Sequence, residues 1–269
     1  MTKVILLTGA TDGIGFETAK KLAGEGHTLL LHGRSKEKLA KMKKELSEIA
    51  GVGLLETFQA DLSVIPEVET LASTVAEKHS TLDVLINNAG VFKTANPQTA
   101  DGYDIRFIVN TVAPFLLTKR LLAIMPLAGR VVNLSSAAQA PVSFDALNGK
   151  QSLSDSDAYA QSKLGITMWS FHLSQTLCSE GPATIAVNPA SFLASKMVKE
   201  AYGSDGNDLG IGADILARAA LSSEFENASG RYYDNDRRQF GQPHPDALDR
   251  SKNERLVRAI EDLIAILNR

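Results

Sequence analysis

A short apolar run, Val4-Ile5-Leu6-Leu7, passes through Thr8 into Gly9-Ala10-Thr11-Asp12-Gly13-Ile14-Gly15, and a helical pattern starts at once. Three glycines between a strand and a helix specify a turn in which the backbone itself comes close to something. Glycine lets the main chain approach a diphosphate, and a helix start offers unpaired N–H groups and the positive end of its dipole. The spacing Gly-x-x-x-Gly-x-Gly differs from the commoner Gly-x-Gly-x-x-Gly of dinucleotide sites. A glycine-rich turn without a ligand would look the same, so the motif needs support from the rest of the chain.

That support begins with alternation. Strands are expected at 3–8, 28–32, 54–58, 82–86, 130–134 and 184–187, with a seventh at Arg231–Tyr233. Helical patterns lie between them, from Ile14 to Gly24, from an N-cap at Ser35 through Ile49, up to about Glu77, from Tyr103 to Ile124, and over 157–180. The end of the chain, from about Pro245 to Leu267, carries apolar residues at helical spacing. Short, near-continuously apolar strands suit a parallel sheet covered on both faces, and helical crossovers are what parallel pairing requires. The expected fold is α/β, a single doubly wound domain over residues 1–269 with about seven parallel strands. Its ligand would sit at the carboxyl ends of the strands. Pro141–Asp157 and Ala201–Leu209 read as loops on that side.

Bulk properties exclude several classes. With 28 basic and 31 acidic side chains the formal charge is -3, so no global field favours nucleic acid or an anionic membrane. The pair Tyr232-Tyr233 beside Arg231, Arg237 and Arg238 therefore reads as an aromatic strand with solvated charges. The one cysteine, Cys178, excludes an internal disulfide and reads as a passive thiol in a helix. The five histidines show no metal-ligand spacing, so no metal is expected. No apolar run is expected to reach the roughly 20 residues that span a bilayer. The first residues already read as a core strand, so no leader is expected and a cytoplasmic setting follows.

Tyr159 and Lys163 lie four apart in a helical stretch and so share a face. A tyrosine that works near neutral pH must lose about 3 units from its usual ~10, roughly 4 kcal/mol. An adjacent ammonium acts in that direction. A surface tyrosine lying along a lysine stem has the same spacing, so the pair gains weight only from its surroundings. Ser135 and Ser136 end the fifth strand, Asn87-Asn88-Ala89-Gly90 ends the fourth, and Asp61-Leu62 follows the third. Asn110 sits inside a helical run with apolar neighbours, although Asn is a poor helix former.

In this order, Thr8–Gly15, Asp61-Leu62, Asn87–Gly90, Asn110, Ser136 and Tyr159-x-x-x-Lys163 resemble the short-chain dehydrogenase/reductase family along nearly the whole chain. The resemblance implies an oxidoreductase that interconverts a carbonyl and an alcohol. Tyr159 would be its acid or base, Ser136 rather than Ser135 would hydrogen-bond the substrate oxygen, Lys163 would hold the nicotinamide ribose and lower the Tyr159 pKa, and Asn110 would hold a relay water. It places the cofactor on Gly9, Thr11, Asp12, Gly13, Ile14 and Gly15, on Asp61, Leu62, Asn88, Ala89 and Gly90, and on Tyr159, Lys163, Pro189 and Ser195. The stretch Ser143–Asn148 and the sequence around Tyr159 resemble the retinol dehydrogenase and WW-domain oxidoreductase branch. No anchor segment is read in the chain, which points away from a retinoid. The family's Pro-Gly after the sixth strand is Pro189-Ala190 here, so positive φ is expected to be avoided. Phe192, Leu193, Met197 and Val198 would give the substrate pocket an apolar wall, or simply pack as a short helix.

The choice of cofactor follows from charge. NAD use calls for a carboxylate after the second strand, where this chain has His32-Gly33-Arg34-Ser35. Arg34 would meet a 2′-phosphate with a planar cationic fork, and Ser35 would add a hydroxyl donor. NADP(H) is thus favoured over NAD(H). Asp12 argues the other way, because many NADP-using relatives have a basic residue there. The Lys36–Lys44 run reads as a solvated helix face. An NADP(H)-sensing regulatory protein, or a scaffold keeping the site only as ancestry, are the alternatives. Homo-oligomers pairing through the helices that bear Asn110 and Tyr159 are an analogy with the family.

Overall fold

The computed structural model describes residues 2–191, 193 and 206–268. One sheet organises them, in the order β3-β2-β1-β4-β5-β6-β7-β8. Its strands are β1 (Val4–Leu7), β2 (Thr28–Gly33), β3 (Leu55–Gln59), β4 (Val84–Asn87), β5 (Arg130–Leu134), β6 (Ala183–Asn188), β7 (Arg231–Asp234) and β8 (Gln239–Gly241). The first seven are parallel, with Leu6 level with Leu30 and Leu85, and Val131 level with Thr184. The eighth is an addition to the expected seven. It turns back antiparallel to β7, placing Phe240 opposite Tyr233. A strand of three residues carries too little period-2 pattern to be seen from sequence.

Side chains alternate across the strands, and this places a core on each face. On one face Leu6, Leu30, Leu85 and Val131 pack against α3 (Ile65–Lys78), α4 (Ile105–Ile124), α6 (Asp155–Leu177) and α8 (Arg250–Leu267). On the other, Ile5, Leu7, Leu29, Leu31, Ile86 and Val187 pack against α1 (Gly13–Ala23), α2 (Lys36–Ser47) and α7 (Leu209–Leu221). Asp12 caps α1 by accepting from Gly13 N, and Ser35 caps α2 by accepting from Lys38 N. Tyr232 and Tyr233 are buried, as expected of an aromatic core strand.

Several expectations need correction. The run Ile105–Ile124 is long and apolar enough to cross a membrane by length and composition, but most of it is buried here as a core helix. It begins two residues after Tyr103, where Asp104 caps it, and contains a π turn at Ile108–Val112. The stretch Pro141–Asp157, expected as a loop, contains a short helix, α5 (Phe144–Leu147), capped by Ser143. Leu209 is the first residue of α7 rather than the end of a loop. Cys178 lies just past α6, exposed and at φ 50.

Candidate active site

Parallel strands leave the start of each following helix at one sheet edge, and there a crevice of about 1270 Å³ opens. That exceeds the roughly 300–1,000 Å³ of sites for drug-sized ligands, so it has room for a long ligand and a second, smaller one. The glycine-rich turn forms one wall. Gly9 takes φ 66, and a Cβ there would come within 2.8 Å of the Ala89 backbone. A Cβ on Gly15 would lie 2.2 Å from Gly9 O. Backbone therefore packs on backbone at this turn, and the N-terminus of α1 opens into the crevice beside Ile14. Such a cradle fits a diphosphate by the physics of helix starts.

Partners across the sheet lock the turn. Thr8 Oγ1 donates to Ile86 O and accepts from the backbone N–H groups of Asn88 and Ala89. Asn88 Nδ2 donates to Thr8 O at 2.8 Å and Gly9 O at 3.1 Å. Asn88, Ala89 and Gly90 line the crevice, as do Thr11, Asp61 and Leu62. The Asp61 carboxylate accepts from Ser63 N and Ser63 Oγ.

His32 was not singled out by sequence reasoning. Its Nδ1 accepts from Gly9 N at 3.2 Å and its Nε2 faces Ala60 O at 3.0 Å. Those partners require the Nε2–H tautomer of the neutral ring. Burial pushes the pKa down to about 4. A polar ring directly after three leucines in β2 is the signal the sequence offers.

Asn110 makes a separate set of hydrogen bonds. The residue lies in the π turn, a rare local form that recurs at functional sites. Its Oδ1 accepts from Val91 N, and its Nδ2 donates to Val91 O and to Ser162 Oγ. The side chain thus ties the segment after β4 to α6. Both amide hydrogens are used within the protein.

Tyr159 and Lys163 share the crevice-facing side of α6, as the spacing requires. Lys163 Nζ lies 5.7 Å from the Tyr159 ring centroid. The ammonium is buried and donates to Leu134 O at 2.7 Å, and burial draws its pKa down to about 8. The Tyr159 ring packs at 4.8 Å on Phe92. Ser136 and Ser135 are separated by the structure. Ser135 is buried and bonded to Thr167 Oγ1 at 2.6 Å, whereas Ser136 is half-buried and its Oγ accepts from Ala138 N.

At the other mouth of the crevice Arg34 lies exposed, with Ser35 and Lys38 beside it. Lys38 is exposed, as expected of a solvated helix face, and its Nζ stands 3.5 Å from Asp12 Oδ2. Asp12 is therefore occupied twice, as the cap of α1 and as partner of a lysine. The Ser35 hydroxyl donates to Glu37 at 2.8 Å, so its expected role as a donor to phosphate competes with an existing bond.

At the end of β6 and just beyond it, Asn188, Pro189, Ala190, Ser191 and Leu193 line the crevice. Here the expectation about φ fails, since Ala190 takes φ 117. Ser195 lies outside the described residues, together with Phe192, Met197 and Val198. Among the described residues no cluster of metal-ligating side chains occurs.

Comparison with known proteins gives the family and the fold. The family model described as short chain dehydrogenase matches residues 3–205. The polyprenol dehydrogenase of Homo sapiens is 32% identical over 257 residues, which are 87% of this chain and 77% of that protein. Retinol dehydrogenase 13 of Homo sapiens is 29% identical over 275 residues, covering 94% of this chain and 82% of that protein. Among solved structures, the angucycline C-6 ketoreductase LanV with bound NADP superposes with a TM-score of 0.69 at 26% identity. It covers 87% of this chain and 93% of its own.

Proposed function

Because the chain belongs to the short-chain dehydrogenase family, in its retinol dehydrogenase branch, we propose that it is an NADP(H)-dependent oxidoreductase in which Tyr159 exchanges a proton with the oxygen of a carbonyl or alcohol. One observation carries this reading. Tyr159, Lys163 and Ser136 stand in the same crevice as a backbone cradle suited to a diphosphate.

When bound, the nicotinamide ring supplies or takes up the hydride, and the protein supplies placement and proton transfer. Ser136 Oγ accepts from Ala138 N, which leaves its own proton for the substrate oxygen. Tyr159 then gives its phenolic proton to that oxygen as the carbonyl is reduced, or takes it back in oxidation. Lys163 has spent one of its three donors on Leu134 O, so two remain for ribose hydroxyls. A pKa of about 8 keeps the ammonium mostly charged at neutral pH, and that charge beside the ring favours the phenolate. Asn110 Oδ1 and Lys163 Nζ both border Gly90, where a Cβ would meet them at 3.3 and 3.6 Å. We assign that space to the inner end of the proton path. Val91, Phe92, Ile105 and Val109 in the crevice wall favour a substrate with an apolar body.

Preference for NADP(H) rests on the mouth of the crevice. Arg34 offers a permanently charged fork. Asp12, already paired with Lys38, does not present an uncompensated negative charge to a phosphate. LanV, solved with NADP, supports the same choice.

A panel of ketones, aldehydes and quinones, with NADPH oxidation followed optically, tests the reading. The wild type turns over at least one class. Tyr159→Phe loses about 10³-fold in turnover while still binding NADPH. Binding without any turnover by the wild type would favour the sensing alternative. Arg34→Ala weakens NADPH at least about tenfold more than NADH, and equal losses would sink the phosphate-fork role.

A further inference from the structure

We propose that Asp236, in the turn joining β7 and β8, is a positioning residue whose carboxylate clasps Asn188 and Ser191 and so holds Ala190 in the left-handed conformation that shapes the crevice wall beside Ser136. The proposal rests on the reading of the crevice as an NADP(H) site.

Ala190 is the starting point. At φ 117 it occupies a region that glycine enters freely and alanine does not. Such a conformation persists only where the surroundings over-determine it. Here the turn after β7 supplies the restraint on both sides of the strained residue. Before it, Asn188 Nδ2 donates to Asp234 Oδ1 at 3.0 Å and to Asp236 Oδ2 at 2.9 Å. Pro189 O accepts from Asn235 Nδ2 at 2.9 Å. After it, Ser191 N donates to Asp236 Oδ1 at 2.8 Å, and Ser191 Oγ to Asp236 Oδ2 at 2.7 Å. Among the described residues, Asp236 is the one member of the turn whose side chain reaches both sides of Ala190.

The clasped segment belongs to the site and the clasp does not. Asn188, Pro189, Ala190 and Ser191 line the crevice, whereas Asp234, Asn235 and Asp236 are not in its lining. β6 pairs with β5, and the bond from Ser135 N to Val187 O continues that pairing to the strand ends. Asp236 therefore acts through Ala190 on the part of the crevice nearest Ser136, far from Arg34. Without the carboxylate, Ser191 loses two bonds and Ala190 is released to relax to negative φ, which moves the wall.

Binding at the two ends can be read separately. NADPH affinity, from nicotinamide fluorescence, reports the whole crevice. The adenosine-half probe 2′,5′-ADP, from calorimetry, reports the Arg34 end. Asp236→Ala is expected to weaken NADPH about tenfold and to leave 2′,5′-ADP within about twofold. Asp236→Asn, which keeps an acceptor for Ser191 N, is expected to fall between. Adding Ala190→Gly to Asp236→Ala removes the penalty on positive φ and should restore much of the NADPH affinity. Unchanged NADPH affinity in both Asp236 variants would overturn the clasp alone. So would parallel loss of both ligands without rescue by Ala190→Gly, which would mark a general loss of fold. Wild-type protein that bound neither probe would overturn the cofactor reading and the clasp with it.

Discussion

At the turn after β1 the backbone takes positive φ at Gly9 and Gly13, whereas after β6 it does so at Ala190. Both segments line the same crevice. The first is built from residues that adopt the conformation without strain, and backbone packing on backbone leaves no room for a Cβ. The second uses a residue that resists the conformation and restrains it with side chains from a distant turn. A ligand-facing backbone can thus be specified by residue type or imposed by tertiary hydrogen bonds. The first kind is readable from a short motif and the second is not.

Three substitutions put pressure on that contrast. The largest effect is expected for Gly15→Ala. Its Cβ would lie 2.2 Å from Gly9 O, and because backbone cannot step aside as a flexible side chain can, the loss should be about 3 kcal/mol or more. Denaturant unfolding measures it, and a variant as stable as the wild type would show that the turn is looser than its packing implies.

Next comes the acid limb of stability. The folded-state pKa of His32 is lowered to about 4 from 6.5. Between those values the unfolded chain binds a proton that the folded chain does not, so stability rises with pH there. His32 therefore contributes fully above pH 6.5 and loses on the order of 3 kcal/mol as pH falls toward 4. His32→Gln can accept from Gly9 N and donate to Ala60 O without titrating. It should flatten this limb in unfolding curves at pH 7 and pH 4.5. An unchanged acid limb would assign the loss to other groups.

The smallest effect is expected from Ala190→Gly alone. Relief of strain of about 1–3 kcal/mol is offset in part by the extra freedom of glycine in the unfolded chain, about 0.5–1 kcal/mol. A net gain near 1 kcal/mol is expected, opposite in sign to Gly15→Ala. A loss of stability would mean that Ala190 is comfortable where it is.

Local spacing explains why much of the site is legible in the sequence. Tyr159 and Lys163 share a face because a helix repeats every 3.6 residues. The glycines of the first turn are needed whatever packs around them. Ser136 stands at a strand end, and the resemblance prefers it to Ser135, whose hydroxyl the structure ties to Thr167 on α6. Lys38 looks like any lysine of a charged helix until Asp12, 26 residues earlier, is found 3.5 Å away. His32 and Asn110 have roles that depend on Gly9, Val91 and Ser162, partners that only folding brings near. The strand β8 escapes notice because three residues carry no periodicity and its stabilisation comes from packing Phe240 on Tyr233 and Phe225.

What the chain determined by itself was the parallel α/β layout, the glycine cradle and the phenol–ammonium pair, because each follows from periodicity or from the stereochemistry of single residue types. Tertiary structure alone decided the antiparallel edge, the pairing of Asp12 with Lys38 and the left-handed Ala190. The edge rests on Phe240 packing against Tyr233 and Phe225, the other two on contacts between segments far apart in sequence, and in the last case such contacts override what the residue would adopt locally.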